Sequence, residues 1–403
     1  MPNKKKNKLL IFVNSYSSQM ETFIYNHIKM VASDSLYELT VLCHYYPDNS
    51  FNIDENIKVI QTHISSFSSR ITSVYKILIH DVPLFFKLLK YGGNTLNLSL
   101  FTLANSLKLE RYDLVHAHFG QNGKLIAQLM DADLIHSELI TQFHGLDITS
   151  KKCKRKNYYN LLKKKANMIM VNTQYSLSVV KSLGFNEDKI TVLAVGTNST
   201  FFNRKTAVAK DKTLKILFIG RLIELKGAQL IPCIARKMIQ LEFTDFEFTI
   251  VGEGILKHSI HENANDLEEK IKLTGYKSLL EIKQLLEDSH LLIYPGIADE
   301  EGREETQGLI VQEAMFMKLP VIVSKIGGVP EAVINGETGF ICMPGDISDF
   351  AEKIIRLGND YDLRKTMGQR GYELAKNKYD ILDFHKKITD IYEDIVTKNN
   401  FLN

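Results

Sequence analysis

The second half of the chain alternates short apolar runs with segments of helical spacing, and this alternation limits the possible folds more than any other feature. The apolar runs between residues 214 and 325 are LKILFIG, FEFTIVG, KIKLTG, HLLIYPG and PVIVSK. Runs that are apolar throughout, rather than at every second residue, indicate strands of a parallel sheet that is buried on both faces. Short connections ending in glycine favour a doubly wound α/β domain with right-handed crossovers.

The first half begins with the same alternation and then departs from it. Its apolar runs are KLLIFVN, YELTVLC, NIKVIQT, YDLVHAHF, LITQFHG and ANMIMVNT. Between residues 65 and 109 the chain is instead rich in Leu, Ile and Phe at helical spacing, with interruptions at Pro83, Gly92 and Gly93. This stretch predicts two or three helices that each carry an apolar face.

The length of 403 residues suits two α/β domains. A polar, weakly periodic stretch over residues 197–212 marks the joint between them. We predict an N-terminal domain over residues 1–205, a C-terminal domain over residues 206–385, and a final helix over residues 386–403 that packs back on the first domain.

Cysteine usage and the N-terminus indicate the compartment. Cys43, Cys153, Cys233 and Cys342 are too scattered to form a CxxC or metal-ligand pattern. The apolar run LLIFV near the N-terminus is too short for a signal peptide or a membrane span. We therefore expect a cytoplasmic protein whose thiols stay reduced.

Open parallel sheets bind ligands at the carboxyl ends of their strands, so the residues after the apolar runs form the candidate site. Arg221 and Lys226 follow the first run of the second half, where paired cations suit a diphosphate. The alternative is a pair of surface cations. Glu305 and Glu313 flank Gly308, and a helix that begins near Gly308 would offer free N–H groups to sugar hydroxyls or a phosphate. The alternative for the acidic residues near Glu305 is a solvated run.

Two histidine motifs follow strands of the first half. QFHGLDIT places His144, Gly145 and Asp147 after one strand, and HAHFGQNG places His116 and His118 at the end of another. A histidine at a strand end can hydrogen-bond a sugar hydroxyl or orient an acceptor, and the alternative is a structural role. We expect His116 and His118 to point to opposite faces of their strand, and so we expect no metal ion there.

Together these features resemble the GT-B glycosyltransferases, in particular the large retaining family 4. The family's E-x7-E motif is present as Glu305 and Glu313, and its domain-closing run is present as EAMFMKLPVIVSKIGGVPEAVINGETGF. The N-terminal half is similar to a narrower group, the colanic-acid and exopolysaccharide biosynthesis glycosyltransferases, through NSYSSQMETFIYNHI, HAHFGQNG and QFHGLDIT. The resemblance implies two Rossmann-like, doubly wound parallel-sheet domains facing across a cleft, with a C-terminal helix that crosses back.

The resemblance also implies roles for individual residues. Arg221 and Lys226 would bind the diphosphate, Glu313 the ribose, and Glu305 the donor sugar. The other donor-binding residues would be the backbone of Thr306, Gln307, Gly308 and Leu309 at the sugar, and Tyr276 and Lys277 at the nucleobase. The catalytic set would be His144, Arg221, Lys226 and Glu305. The acceptor side would be formed by Glu21, His118, His144, Gly145 and Asp147.

The implied reaction is a retaining, metal-independent glycosyl transfer of the hexosyltransferase class. A sugar would pass from a UDP- or GDP-sugar to a glycan or lipid-linked acceptor, for bacterial capsule, exopolysaccharide or lipopolysaccharide. The sequence DAD at residues 131–133 lies in a helix-to-strand connection rather than at a strand end, so it is a poor metal-binding motif. We therefore expect no metal and no other cofactor, and we predict activity in EDTA.

The run KKCKRKNYYNLLKKK at residues 151–165 contains eight Lys or Arg among fifteen residues. It predicts a basic amphipathic helix on anionic lipid, and the apolar helices predicted between residues 65 and 109 support the same interpretation. The alternative is a solvated basic face, and no nucleic-acid-binding motif accompanies the charge. We expect peripheral contact with the inner face of the cytoplasmic membrane and no nucleic-acid partner.

Three other classes of protein stay open at this point. They are a GT-B sugar-nucleotide epimerase or phosphorylase, a catalytically inactive scaffold that binds sugar nucleotides, and an NAD-dependent dehydrogenase. The E-x7-E pair argues against the first class, and the complete set of predicted catalytic residues argues against the second. VGEG at residues 251–254 lacks the full GxGxxG spacing, which makes the dehydrogenase improbable and favours a tight strand-to-helix turn.

Overall fold

The computed structural model of the chain describes residues 6–17, 22–46, 57–62, 66–91, 98–107, 111–204 and 210–400. Contacts between Cα atoms divide the chain into two compact units. The N-terminal unit comprises Met1–Val171, Val179–Leu193 and His385–Asn403, and the C-terminal unit comprises Asn172–Ser178 and Ala194–Phe384. Each unit therefore combines segments that are distant in sequence.

The N-terminal unit is built on a parallel sheet of seven described strands. They are β1 (Asn7–Ser15), β2 (Tyr37–Tyr45), β3 (Ile57–Gln61), β4 (Leu114–His118), β5 (Glu138–Gln142), β6 (Met168–Val171) and β7 (Ile190–Val192). Their spatial order is β3-β2-β1-β4-β5-β6-β7. The continuous apolar run of β1 is explained by its position, because β1 pairs with β2 on one side and β4 on the other. The order of strands reverses between β1 and β4, and ligands bind at such points in open α/β sheets.

The helices that accompany this sheet are α1 (Thr22–Ser33), α2 (Phe67–His80), α3 (Val82–Leu89), α4 (Ser99–Ser106), α5 (Gly120–Asp131), α6 (Leu146–Thr149), α7 (Asn160–Lys165) and α8 (Gln174–Ser182). The prediction of two or three helices between residues 65 and 109 is confirmed by α2, α3 and α4. Asp81 caps α3 by accepting a hydrogen bond from the Leu84 N–H at 3.0 Å. Pro83 lies in the first turn of α3, where the missing N–H costs no hydrogen bond.

The C-terminal unit has a second parallel sheet, of six described strands. They are β8 (Leu214–Ile219), β9 (Phe246–Val251), β10 (Ile271–Gly275), β11 (Leu291–Tyr294), β12 (Val321–Ser324) and β13 (Gly339–Cys342). Their spatial order is β10-β9-β8-β11-β12-β13, so the order of strands reverses between β8 and β11. Ile216 and Phe218 of β8 pack in one apolar cluster and Leu217 in another. The sheet is therefore buried on both faces, as its uninterrupted apolar runs predict.

The remaining helices are α9 (Ile231–Gln240), α10 (Lys257–Asn263), α11 (Leu279–Asp288), α12 (Leu309–Phe316), α13 (Ile347–Asn359), α14 (Tyr361–Tyr379) and α15 (Ile381–Asn400). Ser278 and Glu281 form a capping box at the start of α11. The first turn of α15 belongs to the C-terminal unit, whereas the helix from His385 onwards belongs to the N-terminal unit. Among the helices of the described ranges, none combines the length and the apolar character that crossing a bilayer requires.

Candidate active site

The candidate donor site lies where the strand order of the C-terminal sheet reverses. β8 and β11 are neighbours there, with Leu291 and Leu292 of β11 opposite Ile216 and Leu217 of β8. The chain after β8 contains Arg221 and Lys226, and β11 ends at Tyr294. The carboxyl ends of both strands therefore present polar side chains to the same edge of the sheet.

Lys226, Tyr294 and Glu305 form one hydrogen-bonded cluster at this edge. Lys226 Nζ donates to Glu305 Oε2, and the Tyr294 hydroxyl donates to the same oxygen at 2.9 Å. Burial alone would raise the pKa of Glu305, but the Lys226 charge and the two hydrogen bonds outweigh it and lower that pKa. The cluster therefore holds an ionised carboxylate beside an ammonium group, in a part-buried position that exposes only 17% of each side chain.

Arg221 supplies a second cation whose guanidinium is exposed. Its positive charge acts to lower the pKa of Tyr294, whose hydroxyl group also contacts Glu305, although burial raises that pKa overall. Arg221 forms no ion pair with any acidic residue of the described segments. The exposed Arg221 guanidinium, together with Lys226, suits a phosphate group, since Arg can donate two parallel hydrogen bonds to phosphate oxygens.

The turn that carries Lys226 is fixed by a glycine. Gly227 has a φ of 77°, and a Cβ atom on it would lie 1.8 Å from the carbonyl oxygen of Pro295. No side chain fits there, so the loop after β8 and the loop after β11 are held in direct backbone contact. This contact sets the position of Lys226 relative to Tyr294, whose ring lies 5.5 Å from the Lys226 ammonium.

The segment from Glu305 to Leu309 leads into α12, as the sequence predicts. Gly308 precedes the first turn of α12 with a φ of 73°, and no side chain caps the helix. The carbonyl oxygen of Thr306 accepts a hydrogen bond from Thr173 Oγ1 at 2.9 Å. The Gln307 side chain pairs with the backbone N–H and C=O of Val195 at 3.3 and 3.2 Å. These side chains anchor the loop, so it is the backbone of Gly308 and Leu309 that can face a ligand.

Glu313 lies on the second turn of α12 and is part-buried. Burial raises the pKa of its carboxyl group to about 7, and no charged or hydrogen-bonding group of the described residues contributes to the shift. A desolvated carboxyl group without a protein partner is suited to accept hydrogen bonds from a diol, such as ribose.

The predicted nucleobase contacts come after β10. The Tyr276 ring is 68% exposed, which leaves its face open for stacking. Lys277 Nζ instead pairs with Glu281 at 2.9 Å on the first turn of α11. Of the two residues, Tyr276 is therefore the one with a free side chain.

The histidine motifs of the N-terminal unit form one buried network. His118 Nδ1 and His144 Nε2 share a hydrogen bond at 3.0 Å, and the two rings stack with centroids 5.2 Å apart. His116 Nδ1 lies 2.5 Å from the Tyr392 hydroxyl of α15, which also contacts His27 Nε2 at 3.0 Å. Burial lowers the pKa of His116 and of His144 to about 3, so these imidazoles are neutral at pH 7.

The expectation that His116 and His118 point to opposite faces is wrong. Residues two apart in a strand lie on the same face, and the ring centroids are 4.3 Å apart. With His27 of α1 they bring three candidate nitrogen ligands within 4.8 Å of one another. Neutral imidazoles can bind a transition metal, so within the described ranges this cluster, rather than the donor site, is the place where a metal could be held.

Asp147 is predicted to lie on the acceptor side, and in the structure its side chain binds the backbone of two neighbouring segments. Its carboxylate is buried and accepts hydrogen bonds from the backbone N–H groups of Gly120, His144 and Gly145 at 2.9, 3.0 and 2.7 Å. The pKa of Asp147 is raised because burial outweighs these hydrogen bonds. Asp147 therefore ties the loop after β4 to the loop after β5 and fixes the backbone of His144.

Other sequence features have simpler outcomes. Glu21, Gly92 and Gly93 lie outside the described residues. The aspartates of DAD form ion pairs with lysines: Asp133 with Lys87 of α3, and Asp131 with Lys90, which follows α3, and with Lys165.

The prediction of a basic amphipathic helix over residues 151–165 is wrong. The segment consists of turns followed by the six-residue α7. Its apolar members Tyr159 and Leu162 are buried, and the Tyr159 hydroxyl donates to the Asp147 carbonyl at 2.6 Å. The lysines therefore form a solvated basic surface without an apolar face of its own. We call residues 151–165 the basic segment.

Two matches to families of known proteins cover most of the chain. Residues 199–374 match the family described as Glycosyl transferases group 1. Residues 20–201 match the one described as Glycosyltransferase Family 4. The chain therefore contains a glycosyltransferase family 4 region followed by a glycosyl transferases group 1 region. The resemblance inferred from the sequence motifs is thereby confirmed.

Individual relatives of this glycosyltransferase agree with the family match. The chain is 26% identical over 371 residues to the amylovoran biosynthesis glycosyltransferase AmsK of Erwinia amylovora, covering 87% of this chain and 90% of that protein. It is 25% identical over 250 residues to the capsular polysaccharide biosynthesis glycosyltransferase CapM of Staphylococcus aureus, covering 58% and 62%. Its fold is similar to that of HepE from Anabaena in complex with UDP and glucose, with a TM-score of 0.72, 17% identity and coverage of 96% and 100%. The predicted GT-B fold is confirmed.

Tyr294 and Thr173 contact residues of the candidate site, Glu305 and Thr306, but are absent from the residues predicted from sequence. Tyr294 is the last residue of an apolar strand, where an aromatic residue is ordinary core composition. Its position at the carboxyl end of the strand next to β8 is the signal that could have identified it. Thr173 carries no comparable signal, because its contact with Thr306 joins residues 133 apart in sequence.

Proposed function

We propose that the protein transfers a sugar from a UDP- or GDP-sugar to a glycan or lipid-linked acceptor in the biosynthesis of a bacterial cell-surface polysaccharide, with retention of anomeric configuration and without a metal ion. The observation that carries this proposal is the cluster of Lys226, Tyr294 and Glu305 beside Arg221, which forms no ion pair with the part of the chain that the structure describes. The names of AmsK and CapM support polysaccharide biosynthesis, since both are glycosyltransferases of that process.

In the proposed complex, the diphosphate of the donor lies between Arg221 and Lys226. The ribose hydroxyls donate to the Glu313 carboxylate, and Tyr276 stacks on the base. The sugar hydroxyls meet Glu305 and the backbone at the start of α12. A uridine nucleotide is the first choice, because HepE, which has the same fold, binds UDP.

Transfer then proceeds on one face of the sugar. The acceptor hydroxyl oxygen forms a bond to the anomeric carbon on the side from which the nucleoside diphosphate leaves. The bond between that carbon and the phosphate oxygen breaks, and the hydroxyl proton passes to the departing phosphate oxygen. Arg221 and Lys226 stabilise the negative charge that builds on the diphosphate, which is the role a metal ion has in other transferases. His144, with its part-buried neutral imidazole, stays our prediction for the group beside the reacting hydroxyl.

The proposal places the enzyme on the cytoplasmic side of the membrane, as a protein that contacts its lipid-linked acceptor at the bilayer surface. The lysines and arginine of the basic segment, of which Lys151, Lys152 and Lys154 are exposed, support attraction to anionic headgroups.

The test uses purified protein, UDP-glucose, UDP-N-acetylglucosamine and GDP-mannose, with EDTA present throughout. We expect one of these donors to raise the melting temperature of the wild type and to be hydrolysed slowly, with both effects lost in Arg221→Ala and in Glu313→Ala. Lys257→Ala is the matched control, because Lys257 forms an exposed ion pair in the same unit. Stabilisation without any hydrolysis or transfer would favour the inactive scaffold, and equal responses of wild type and variants would refute the donor site.

A further inference from the structure

The helices α2 and α3 present an unusual concentration of apolar side chains to solvent. Phe67, Ile71, Tyr75 and Ile79 recur every fourth residue along α2, and Val82 and Phe86 continue the surface on α3. Phe67, Tyr75 and Phe86 are exposed over 65%, 64% and 63% of their surface. We call these six residues the apolar ridge. A contiguous exposed ridge of this kind marks an interaction surface, whereas single exposed apolar residues are ordinary.

The ridge is not a consequence of poorly packed helices. The opposite face of α2 buries Ser73 and Ile77, and that of α3 buries Leu84 and Leu88 against the unit. Each helix therefore has one buried apolar face and a second apolar face that is exposed. Both helices also begin with a side-chain N-cap, at Ser66 and at Asp81.

Cations surround the ridge. Residues 66–90 contain Arg70, Lys76, Lys87 and Lys90 but Asp81 as their single acidic residue. Asp131 joins the end of α3 to the basic segment, because it forms ion pairs with Lys90, which follows α3, at 3.2 Å and with Lys165 at 3.6 Å. The helix that carries Val82 and Phe86 of the ridge therefore ends beside a lysine of the basic segment.

A cavity of about 410 Å³ lies behind α3. Its lining includes Leu84, Ala104, Leu107 and Leu129, and Asp81 is its charged member. Leu84 comes from the inner face of the same helix that carries Phe86 of the ridge. The cavity is large enough for part of an extended hydrocarbon chain, and its walls are mainly apolar.

We propose that the apolar ridge docks the N-terminal unit on an anionic lipid bilayer and that the cavity behind α3 receives a hydrocarbon chain of a membrane lipid. The inference rests on the proposed function in one respect, namely that the acceptor is carried on a lipid. Aromatic and aliphatic side chains enter the boundary between headgroups and chains, while flanking lysines bind anionic headgroups. This combination of groups fits a bilayer, because a protein partner would have to offer an apolar groove rimmed with acidic residues.

The first experiment measures co-sedimentation of the full chain with phosphatidylglycerol vesicles and with phosphatidylcholine vesicles. We expect binding to the anionic vesicles that weakens as salt is raised. The variant Phe67→Ser/Phe86→Ser should bind about tenfold less. The matched control, Ile255→Ser/Leu280→Ser, removes side chains that are 86% and 72% exposed in the C-terminal unit and should bind like the wild type. Failure of the wild type to sediment, or equal binding by both double variants, would overturn the proposal.

The chain contains no tryptophan, which allows a direct test of insertion. Phe86→Trp and Leu107→Trp each place a single indole, on the ridge and at the cavity, and Leu280→Trp is the control. We expect vesicles with brominated acyl chains to quench the first two and leave the third unchanged. Quenching of Phe86→Trp alone would remove the chain-binding cavity from the proposal, and quenching of neither would remove the docking surface as well.

Donor binding separates this inference from the proposed function. Stabilisation by the nucleotide-sugar is measured without vesicles, so Phe67→Ser/Phe86→Ser should keep it, and its retention also shows that this variant is folded. An enzyme that hydrolyses its donor yet ignores every vesicle would refute the docking surface and leave the donor site standing.

Discussion

The two units of this glycosyltransferase have similar sheets but use them differently. In the C-terminal unit, the polar residues at the strand ends interact directly and remain charged, as in the pair of Lys226 and Glu305. In the N-terminal unit, the corresponding strand ends carry neutral histidines that bond to one another and to Tyr392. The C-terminal unit therefore presents charged groups at its strand ends, whereas the N-terminal unit carries neutral histidines there and an exposed apolar ridge. In the function proposed above, the same fold serves a polar donor and a less polar acceptor.

The sharpest test of the charged site is Lys226→Ala. Removal of the ammonium group takes one cation from the diphosphate and leaves the part-buried Glu305 carboxylate without its ion pair. We expect the rate of transfer to fall by about 10²–10³-fold, which is typical for loss of a group that stabilises developing charge. Steady-state kinetics of Lys226→Ala and Lys257→Ala check this. A loss below tenfold in Lys226→Ala would mean that the diphosphate binds elsewhere.

Glu313→Gln, also in the C-terminal unit, should change the stability of the protein and its binding of the donor in opposite directions. The raised pKa of Glu313 means that the folded protein keeps a proton that the unfolded chain releases above its usual pKa of 4.5. Stability therefore falls as pH rises from about 4.5 to about 7 and is level above that range. At pH 8 we expect Glu313→Gln to be more stable than the wild type by up to about 3 kcal/mol, and at pH 4 to be equally stable.

The same substitution should weaken donor binding, because a glutamine side chain has one acceptor oxygen in place of two. Chemical denaturation at pH 4 and pH 8, together with titration of UDP, measures both effects. An equal stability difference at the two pH values would show that Glu313 does not carry the buried charge.

Asp147→Asn tests the rigidity of the N-terminal unit. The substitution keeps the shape of the side chain but turns an acceptor oxygen into a donor amide, which faces the N–H groups that now bind the carboxylate. We expect a loss of about 2 kcal/mol in the free energy of unfolding. Thermal unfolding with and without UDP checks this, and the shift produced by UDP should be unchanged because the donor residues lie in the other unit. An unaltered melting temperature would contradict the bracing role of Asp147.

The smallest expected effect concerns metal ions. Transfer should proceed in EDTA at a rate within about twofold of that with Mg²⁺ or Mn²⁺, since in the proposed complex Arg221 and Lys226 balance the charge of the diphosphate. Assays with and without the chelator measure this. If EDTA abolished activity, the cluster of His27, His116 and His118 would be the first place to look for the ion.

The C-terminal unit could be predicted closely because its strands and their ends are defined by short, continuous stretches of sequence. Each strand is a continuous apolar run, each run ends near glycine or a charged residue, and parallel sheets bring those ends to one edge. Arg221, Lys226, Glu305 and Glu313 could be selected on that basis. Tyr294 could not, because a strand-end tyrosine has the same composition whether it faces the core or a ligand.

The N-terminal unit was predicted less well, for two physical reasons. The basic segment looks amphipathic in sequence, but charge density does not reveal which way its apolar residues point, and Tyr159 and Leu162 point inwards. The two-residue period of a β-strand would have been enough to place His116 and His118 of β4 on one face, whereas we predicted opposite faces. Their connection to Tyr392, however, joins residues 276 apart and has no local signature.

The course of α15 has a consequence for synthesis and for truncation. Ile388, Tyr392 and Val396 are buried in the N-terminal unit, although residues 194–384 of the C-terminal unit separate them in sequence from the strands of their own unit. During synthesis, the core of the N-terminal unit therefore cannot be completed until residues 194–384 and α15 have left the ribosome. A chain that ends before His385 would contain the segments of the C-terminal unit but lack part of the core of the N-terminal unit.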